Sequence, residues 1–210
     1  MYYYKKYFDI MVLPENWWEV RNMKNDFYDR LSINPIIAAV KDLTTLDKAI
    51  ESPCEVIFLL TGNICNIKNI VSRVKAKDKK IYIHIDLMEG FARDSYALTY
   101  IKENIKPDGI ITTKSNLIKI AKELKIFAIQ RLFIIDNLSL KSGIHSINTV
   151  RPDAIEVMPG VMPKITKEIK RQVNVPIITG GLISDKEDVI GSINAGALGI
   201  STSKEYIWNM

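Results

Sequence analysis

Cysteine and histidine are scarce in this sequence, with two of each among 210 residues. Cys54 and Cys65 form no CxxC motif and have no histidine at metal-ligand spacing. The scarcity excludes a disulfide-stabilised scaffold and a zinc site built on paired cysteines, since both need several such residues at short, regular spacing. We therefore expect two inert thiols, no bound metal and no cofactor.

Long hydrophobic runs are also missing. Charged residues interrupt every apolar run well before the roughly 18 residues of a membrane span, so no transmembrane helix and no membrane partner is expected. The apolar stretch from Ile10 to Leu13 is too short for the core of a signal peptide, and no small-residue cleavage site follows it. These absences predict a cytoplasmic protein.

Charge is only moderately unbalanced, with a net charge of +5 and a pI near 9.0. Such a charge permits binding to a polyanion without requiring it, and no RRM or KH signature is present. Hydrophobic residues make up 47% of the chain, which is enough to bury the core of a single domain.

Eight short β-branched or aliphatic runs recur every 20–30 residues or so, separated by polar segments with helical spacing. Continuous apolar runs suit parallel strands that are covered on both faces. The sequence thus predicts a single (β/α)8 TIM barrel, with an open doubly wound sheet as the alternative. That alternative needs a glycine-rich turn after its first strand, where Val40, Lys41 and Asp42 offer none. The runs begin at Pro35, Cys54, Ile81, Gly109, Phe127, Ala154, Pro176 and Gly199.

Residues 1–33 form an extension outside this repeat, and residues 34–210 form the predicted barrel. The spacing of Val20, Met23, Phe27 and Leu31 predicts an amphipathic helix that begins soon after Pro14 and ends before Asn34. Its apolar face either plugs the N-terminal mouth of the barrel or contacts a second subunit in a homo-oligomer. The adjacent Trp17 and Trp18 make a second contact surface reasonable.

Two small-residue turns follow the last two predicted strands. Glycines let the backbone approach a ligand closely, and serine and threonine add hydroxyl donors beside the N–H groups of a following helix. In (β/α)8 barrels, phosphate binds after strands seven and eight. We therefore expect a phosphate site at Gly180, Gly181, Ser201, Thr202 and Ser203.

Polar residues also cluster at the predicted ends of strands three to six, where barrels of this type place their sites. Charged residues inside apolar strands need a partner or a ligand, so Arg131 and Glu156 either pair with each other or bind a ligand. His84 is the weakest candidate, because a strand histidine is more often a satisfied interior residue than a general base. The candidate rim residues are Asp86, Glu89, Lys114, Arg131, Glu156 and Gly160, with Thr112, Thr113, Gln130 and Asp136 nearby.

Five ordered motifs resemble the glycerol-uptake operon antiterminator family: IHIDLMEG (83–90), KPDGIITTKSN (106–116), IQRLF (129–133), IEVMPGVMPK (155–164) and TGGLI (179–183). The resemblance runs from about residue 34 to the C-terminus. It implies a barrel that responds to glycerol 3-phosphate, binds the leader of a nascent messenger RNA and prevents premature transcription termination. It therefore implies a regulator, not an enzyme, with glycerol 3-phosphate as effector.

An enzymatic alternative remains open. Asp86 and Glu89 could hold Mg²⁺, which would point to a transferase that acts on a glycerol phosphate, like the prenylglyceryl phosphate synthases of similar architecture. The strand-six lysine of Schiff-base aldolases is absent, however, and the sequence shows no apolar groove for a prenyl chain.

Three basic segments could contact RNA. They are the run of Lys75, Lys77, Lys79 and Lys80, a predicted helix with Lys164, Lys167, Lys170 and Arg171, and the tail from Tyr2 to Lys6. The helix is favoured, because Lys164, Lys167 and Arg171 share one side of it.

Overall fold

All eight predicted runs form strands in the computed structural model, which describes residues 26–210. Each observed strand begins within two residues of its predicted start. The strands are β1 (Ile36–Val40), β2 (Val56–Leu59), β3 (Lys80–His84), β4 (Gly109–Thr112), β5 (Ala128–Phe133), β6 (Ala154–Met158), β7 (Ile177–Gly180) and β8 (Gly199–Thr202).

Helices alternate with the strands, and several begin at an aspartate that caps the first turn. Asp94, Asp136 and Asp185 each accept a hydrogen bond from a backbone N–H of that turn, which satisfies donors that the helix itself leaves open. The helices are α1 (Asp26–Ile33), α2 (Leu46–Glu51), α3 (Ile67–Lys75), α4 (Ser95–Tyr100, continued by a π-helix at Ile101–Ile105), α5 (Ser115–Glu123), α6 (Asn137–Val150), α7 (Pro163–Gln172), α8 (Lys186–Asn194) and α9 (Glu205–Trp208).

The strands close into a barrel in chain order. Every neighbouring pair is parallel, and β8 pairs with β1 through Ile37 and Ser201, which confirms the barrel and excludes the open sheet. Alternate residues point inward, so one buried cluster fills the interior and includes Ile37, Phe58, Tyr82 and Ile129. The residues between them pack outward against the helices.

Helix α1 closes the N-terminal mouth of this barrel. Phe27 is fully buried, and its ring packs against Tyr82 and Phe127 with centroid distances of 4.9 and 5.1 Å. The Tyr28 hydroxyl donates to the carbonyl of Asp153 at 2.5 Å, next to the start of β6. Arg30 also pairs with Glu55 at 2.6 Å, just before β2. Of the two roles expected for the helix, the described part therefore forms the plug.

The upstream part of the predicted helix, with Val20 and Met23, lies outside the described residues. So do Trp17 and Trp18, and the homo-oligomer stays a prediction. Within residues 26–210, no helix is long and apolar enough to cross a membrane. Cys54 is buried and Cys65 is exposed, and both are free thiols.

Candidate functional site

The C-terminal mouth of the barrel is lined by polar side chains on the inward faces of its strands. The strand register aligns Arg131 with Glu156 and Gly180 with Ser201, and His84 occupies the equivalent inward position of β3. All four side chains are almost completely buried, with 6% or less of each exposed: His84, Arg131, Glu156 and Ser201. The mouth therefore holds charge and hydrogen-bonding groups in a dry setting, where electrostatic interactions are strong.

Arg131 and Glu156 form the central pair of this mouth. The Nε of Arg131 donates to Oε2 of Glu156 at 2.7 Å, between neighbouring strands and not across the opening. The expectation that each satisfies the other is thus confirmed. No hydrogen bond joins the two terminal nitrogens of Arg131 to any other residue in the described chain. The glutamate therefore orients the guanidinium and leaves its outer donors open to a ligand.

Gly180 leaves room for this ion pair. A Cβ at position 180 would lie 2.7 Å from Oε1 of Glu156, a contact too short for any real side chain. Gly181 has a φ of +74°, in the left-handed region that favours glycine, so the chain turns sharply away from β7.

Gly160 supports the same turn and does not face the mouth. Its N–H donates to the carbonyl of Gly181 at 3.0 Å, and its carbonyl accepts a hydrogen bond from Ser192. A Cβ at position 160 would lie 3.0 Å from the backbone nitrogen of Gly180. The structure therefore places Gly160 behind the proposed site, where it shapes the turn.

The serine and threonine residues at the end of β8 divide into two groups. The hydroxyl of Thr202 donates to the carbonyl of Ile183 and accepts from the N–H of Lys204, so it is engaged away from the mouth. The Ser201 side chain points inward, and Ser203 is half-buried beside it. Among the described residues, no partner is found for the backbone N–H of Gly181 or of Ser203. These two amides and the serine hydroxyls are the donors that an anion could reach.

The helix that follows Gly181 offers an anion no N-terminal site. Asp185 caps α8 by accepting from the N–H of Asp188 at 2.9 Å, which places a negative charge at the position an anion would occupy. Because this charge opposes an anion at α8, the donors for a phosphate must come from the turn itself.

Asp86 lies just beyond β3 and is already engaged by β4. Its carboxylate accepts from the Thr112 hydroxyl and from the N–H and hydroxyl of Thr113, all at 2.8 Å. Burial alone would raise the pKa of this carboxyl, but the hydrogen bonds from Thr113 and Thr112 outweigh it and hold the pKa below its usual value. The aspartate thus remains charged and ties the end of β3 to the end of β4.

The remaining rim residues are more open. Glu89 and Lys114 are exposed, and Glu89 joins its loop to the preceding one through backbone hydrogen bonds with Gly62 and Ile64 at 3.0 Å. Asp136 caps α6, and the amide of Gln130 donates to Ser146 behind the barrel wall. Across residues 26–210, no three His, Cys, Asp or Glu side chains gather as a metal site requires.

One rim cation escaped the sequence analysis. Arg93 donates to the backbone carbonyl of Asp86 at 2.8 Å, which holds the loop after β3 against the mouth. A single arginine in a loop has no periodicity from which a role could be predicted. The one indication in the sequence is that Arg93 lies three residues after Gly90, in the loop that also contains Glu89.

His84 is neutral in this setting. Burial, reinforced by the nearby positive charge of Arg131, lowers the pKa of the imidazole from 6.5 to about 4. Its Nδ1 is buried and has no hydrogen-bond partner among the described residues. The imidazole therefore presents an uncharged polar edge next to the ion pair.

The shifted imidazole predicts a loss of stability in mild acid. Between pH 6.5 and about 4 the unfolded chain binds a proton at His84 that the folded chain does not, so falling pH favours unfolding across this window. We expect the free energy of unfolding to fall by an amount on the order of 2 kcal/mol across this window. Urea denaturation at a series of pH values measures the change. His84→Gln should flatten this part of the profile, whereas His145→Gln, at an exposed histidine, should leave it unchanged. The same slope in both variants would contradict the assignment.

The two basic segments within the described chain differ in their partners. In the run that leads into β3, Lys75 pairs with Asp108, Lys77 pairs with Glu51, Lys80 pairs with Asp26, and Lys79 donates to two carbonyls. These cations fasten the N-terminal end of the barrel. On α7, by contrast, no ion pair is found within the described chain for Lys164, Lys167, Lys170 or Arg171, and all four residues are exposed. Burial of the Lys170 stem, which lies against Gly196, lowers the pKa of its ammonium.

Comparison with known proteins matches nearly the whole barrel. Residues 36–208 fit the model of a protein family described as glycerol-3-phosphate responsive antiterminator. The uncharacterized protein YgcP of Escherichia coli K12 is 41% identical over 177 residues, which cover 84% of this chain and 93% of that protein.

Solved structures agree with this match. The glycerol uptake operon antiterminator regulatory protein from Listeria monocytogenes is 35% identical, with a TM-score of 0.80 over 83% of this chain and 95% of that one. An antiterminator-related protein from Thermotoga maritima is 30% identical, with a TM-score of 0.75 over 83% and 98%. Barrel enzymes at 17% identity or less share the fold alone.

Proposed function

The chain belongs to the family of glycerol-3-phosphate responsive antiterminators, and from that membership we propose how it works. It binds glycerol 3-phosphate in the C-terminal mouth of the barrel. In response it binds the leader of a nascent messenger RNA and prevents premature termination of glycerol-utilisation genes. It acts in the cytoplasm, where that RNA is made, and it is a regulator and not an enzyme.

The observation that carries the ligand site is the orientation of Arg131 by Glu156 inside the mouth. A guanidinium that donates one N–H to a buried carboxylate has its remaining donors held in a fixed direction. Such donors are suited to bind an anionic oxygen. The phosphate would sit between Arg131, the Gly181 turn and Ser201 to Ser203. Gly180 and Thr202 support this site through packing, the first by leaving room for Glu156 and the second by fixing the turn after β8.

The glycerol end would then face β3 and β4. The unpartnered Nδ1 of His84 can accept a hydrogen bond from a hydroxyl group, and Asp86 can accept one with lone pairs left by Thr112 and Thr113. Lys114 and Glu89 stand at the outer rim, where they contribute to the electrostatic field around the ligand more than to direct contact.

A charge placed in the turn after β8 tests the phosphate site. Ser203→Asp adds a carboxylate beside the Ser203 N–H, and like charges about 4 Å apart repel by roughly 1–4 kcal/mol at the dielectric of a protein surface. We expect the affinity for glycerol 3-phosphate, measured by calorimetry, to fall at least tenfold or so. Ser203→Asn is the neutral control of equal size and should bind nearly as wild type. Position 203 is preferable to Gly181, where any side chain would be strained by the positive φ. Unchanged affinity in the aspartate variant would remove the phosphate from this turn.

For RNA, the favoured surface is α7, with Lys164, Lys167, Lys170 and Arg171. Its cations form no ion pair in the described chain, unlike the lysines that lead into β3. A cation that is already held in an ion pair must lose that partner before it can bind phosphate, which weakens its contribution. The tail from Tyr2 to Lys6 lies outside the described residues.

The enzymatic alternative is less well supported. A Mg²⁺ ion held by Asp86 and Glu89 would have to displace three hydrogen bonds from Thr112 and Thr113. The hydroxyls of Thr112 and Thr113 do contact Asp86, but the lowered pKa of that carboxyl makes it a weak base for activating either hydroxyl.

The regulatory proposal is tested by RNA binding at two ligand conditions. Binding of a leader transcript from a glycerol-utilisation operon should tighten with glycerol 3-phosphate and respond to glycerol alone only weakly, because glycerol lacks the phosphate that the Gly181 turn would hold. Filter binding or fluorescence anisotropy measures both. A ligand can change RNA affinity only if it favours one of two protein states. Equal RNA affinity with and without the phosphate ester would contradict the proposal.

A further inference from the structure

Three successive turns at the N-terminal end of the barrel place a basic residue in the left-handed conformation. Lys106, Lys125 and Arg151 lead into β4, β5 and β6, with φ angles of 58°, 55° and 49°. Helices commonly end with glycine at such a position, because a side chain there costs free energy. All three residues are exposed. The chain therefore presents a cation at three neighbouring points of one rim, at positions where glycine would be the easier choice.

A groove runs between these turns. One cavity of about 190 Å³ is lined by Lys75, Lys102, Lys106 and Lys125 over a floor that includes Pro107 and Phe127. A second cavity of about 340 Å³ shares Lys125, Ile126 and Phe127 with the first and extends to Asp153. The two cavities thus adjoin between β4 and β6, and Arg151 lies in the next turn, outside their lining.

The two aspartates that line this path are engaged by other partners. Asp108 is bonded to the N–H of Ile81 and paired with Lys75, and Asp153 is bonded to the N–H of Ala128 and paired with Lys122. The nearby acidic residues Glu103 and Glu123 are exposed. Within the described chain, no ion pair is found for Lys102, Lys106, Lys125 or Arg151.

We propose that these residues form a lysine groove, made of Lys102, Lys106, Lys125 and Arg151, that binds the phosphodiester backbone of single-stranded RNA. The assignment rests on the proposed function and extends its RNA surface from α7 onto the turns before β4, β5 and β6. A single small anion would use one turn, whereas cations on three successive turns beside two adjoining cavities suit a chain of phosphates. Because the helices run opposite to the strands, Lys170 and Arg171 at the end of α7 lie at the same end of the barrel and extend the path past β7.

Neutralising the groove tests the proposal. The triple variant Lys106→Gln, Lys125→Gln and Arg151→Gln keeps a side chain of similar length at each left-handed position. We expect its affinity for an oligouridylate of about 20 nucleotides, longer than most single-strand sites, to fall at least tenfold or so near 0.1 M salt. The slope of log affinity against log salt should fall by about 2, since each phosphate contact to a single strand adds about 0.7.

A second triple variant controls for total charge. Lys41→Gln, Lys68→Gln and Lys141→Gln removes the same charge at exposed positions elsewhere and should leave the salt slope unchanged. Glycerol 3-phosphate affinity should be the same in both variants, which also verifies folding. An unchanged slope in the groove variant, or an equal loss in both variants, would overturn the groove. Groove-dependent oligouridylate binding, together with leader binding that ignores glycerol 3-phosphate, would instead overturn the proposed function and leave the groove in place.

Discussion

Replacing Arg131 with methionine is expected to lower the free energy of unfolding by about 3–5 kcal/mol, which is the usual cost of leaving one partner of a buried ion pair alone. Glu156 is only 1% exposed, so water cannot solvate its carboxylate once the guanidinium is gone. Gly180 leaves room beside Oε1 of Glu156 but supplies no charge. The effect should appear as a lower midpoint in urea denaturation with an unchanged m value.

A double-mutant cycle identifies the cause. Arg131→Met combined with Glu156→Leu removes both charges and fills the mouth with apolar groups, so its stability should return close to that of wild type. The double variant should nevertheless bind glycerol 3-phosphate poorly, because the oriented guanidinium is gone. Additive losses from the two single substitutions would show that the pair is not coupled. Full ligand affinity in the stable double variant would show that the pair has only a structural role.

The barrel could be predicted from the sequence because its strands are buried on both faces. A run such as IIAAV at Ile36–Val40 contains no polar residue, and a parallel strand that is covered by helices buries it completely. Helix α7 could also be predicted from the sequence, since the spacing of Ile165 and Ile169 gives the helix one apolar side. The hydrophobic pattern alone thus predicts burial on both faces of the strand and on one side of the helix.

The partners inside the mouth could not be predicted in the same way, because they depend on the register between strands. Asp86 is separated from Thr112 by 26 residues, and only the pairing of β3 with β4 brings them together. Gly180 was expected to let a ligand approach, yet a Cβ at this position would first meet the carboxylate of Glu156. Composition and spacing carry no information on either contact.

The left-handed conformation of three basic residues at the N-terminal end of the barrel could not be predicted from the sequence either. Lys106, Lys125 and Arg151 look like ordinary surface residues until their backbone angles are known. Their position matters for regulation, because the proposed ligand and RNA sites then lie at opposite ends of one packed interior. Coupling between the sites must pass through that interior or through the elements that close it, and it requires two states with different affinities.

Helix α1 is the element that closes the RNA end, and Phe27→Ala should measure how firmly it does so. The ring is fully buried and packs against Tyr82 and Phe127 at the floor of the barrel. Truncation of a buried phenylalanine to alanine costs about 3–5 kcal/mol, through lost burial and the cavity that remains. We expect a loss of this size in urea denaturation.

Ile33→Ala on the same helix is the matched control. Ile33 is 69% exposed, so its truncation should change the free energy of unfolding by no more than about 0.5 kcal/mol. A small effect in both variants would mean that α1 is only loosely docked and that the barrel stands without it. A large effect at Phe27 alone would make the helix an integral part of the barrel floor. Because the floor residue Phe127 also lines the lysine groove, a shift of α1 would then be one physical route by which the interior changes the surface that faces RNA.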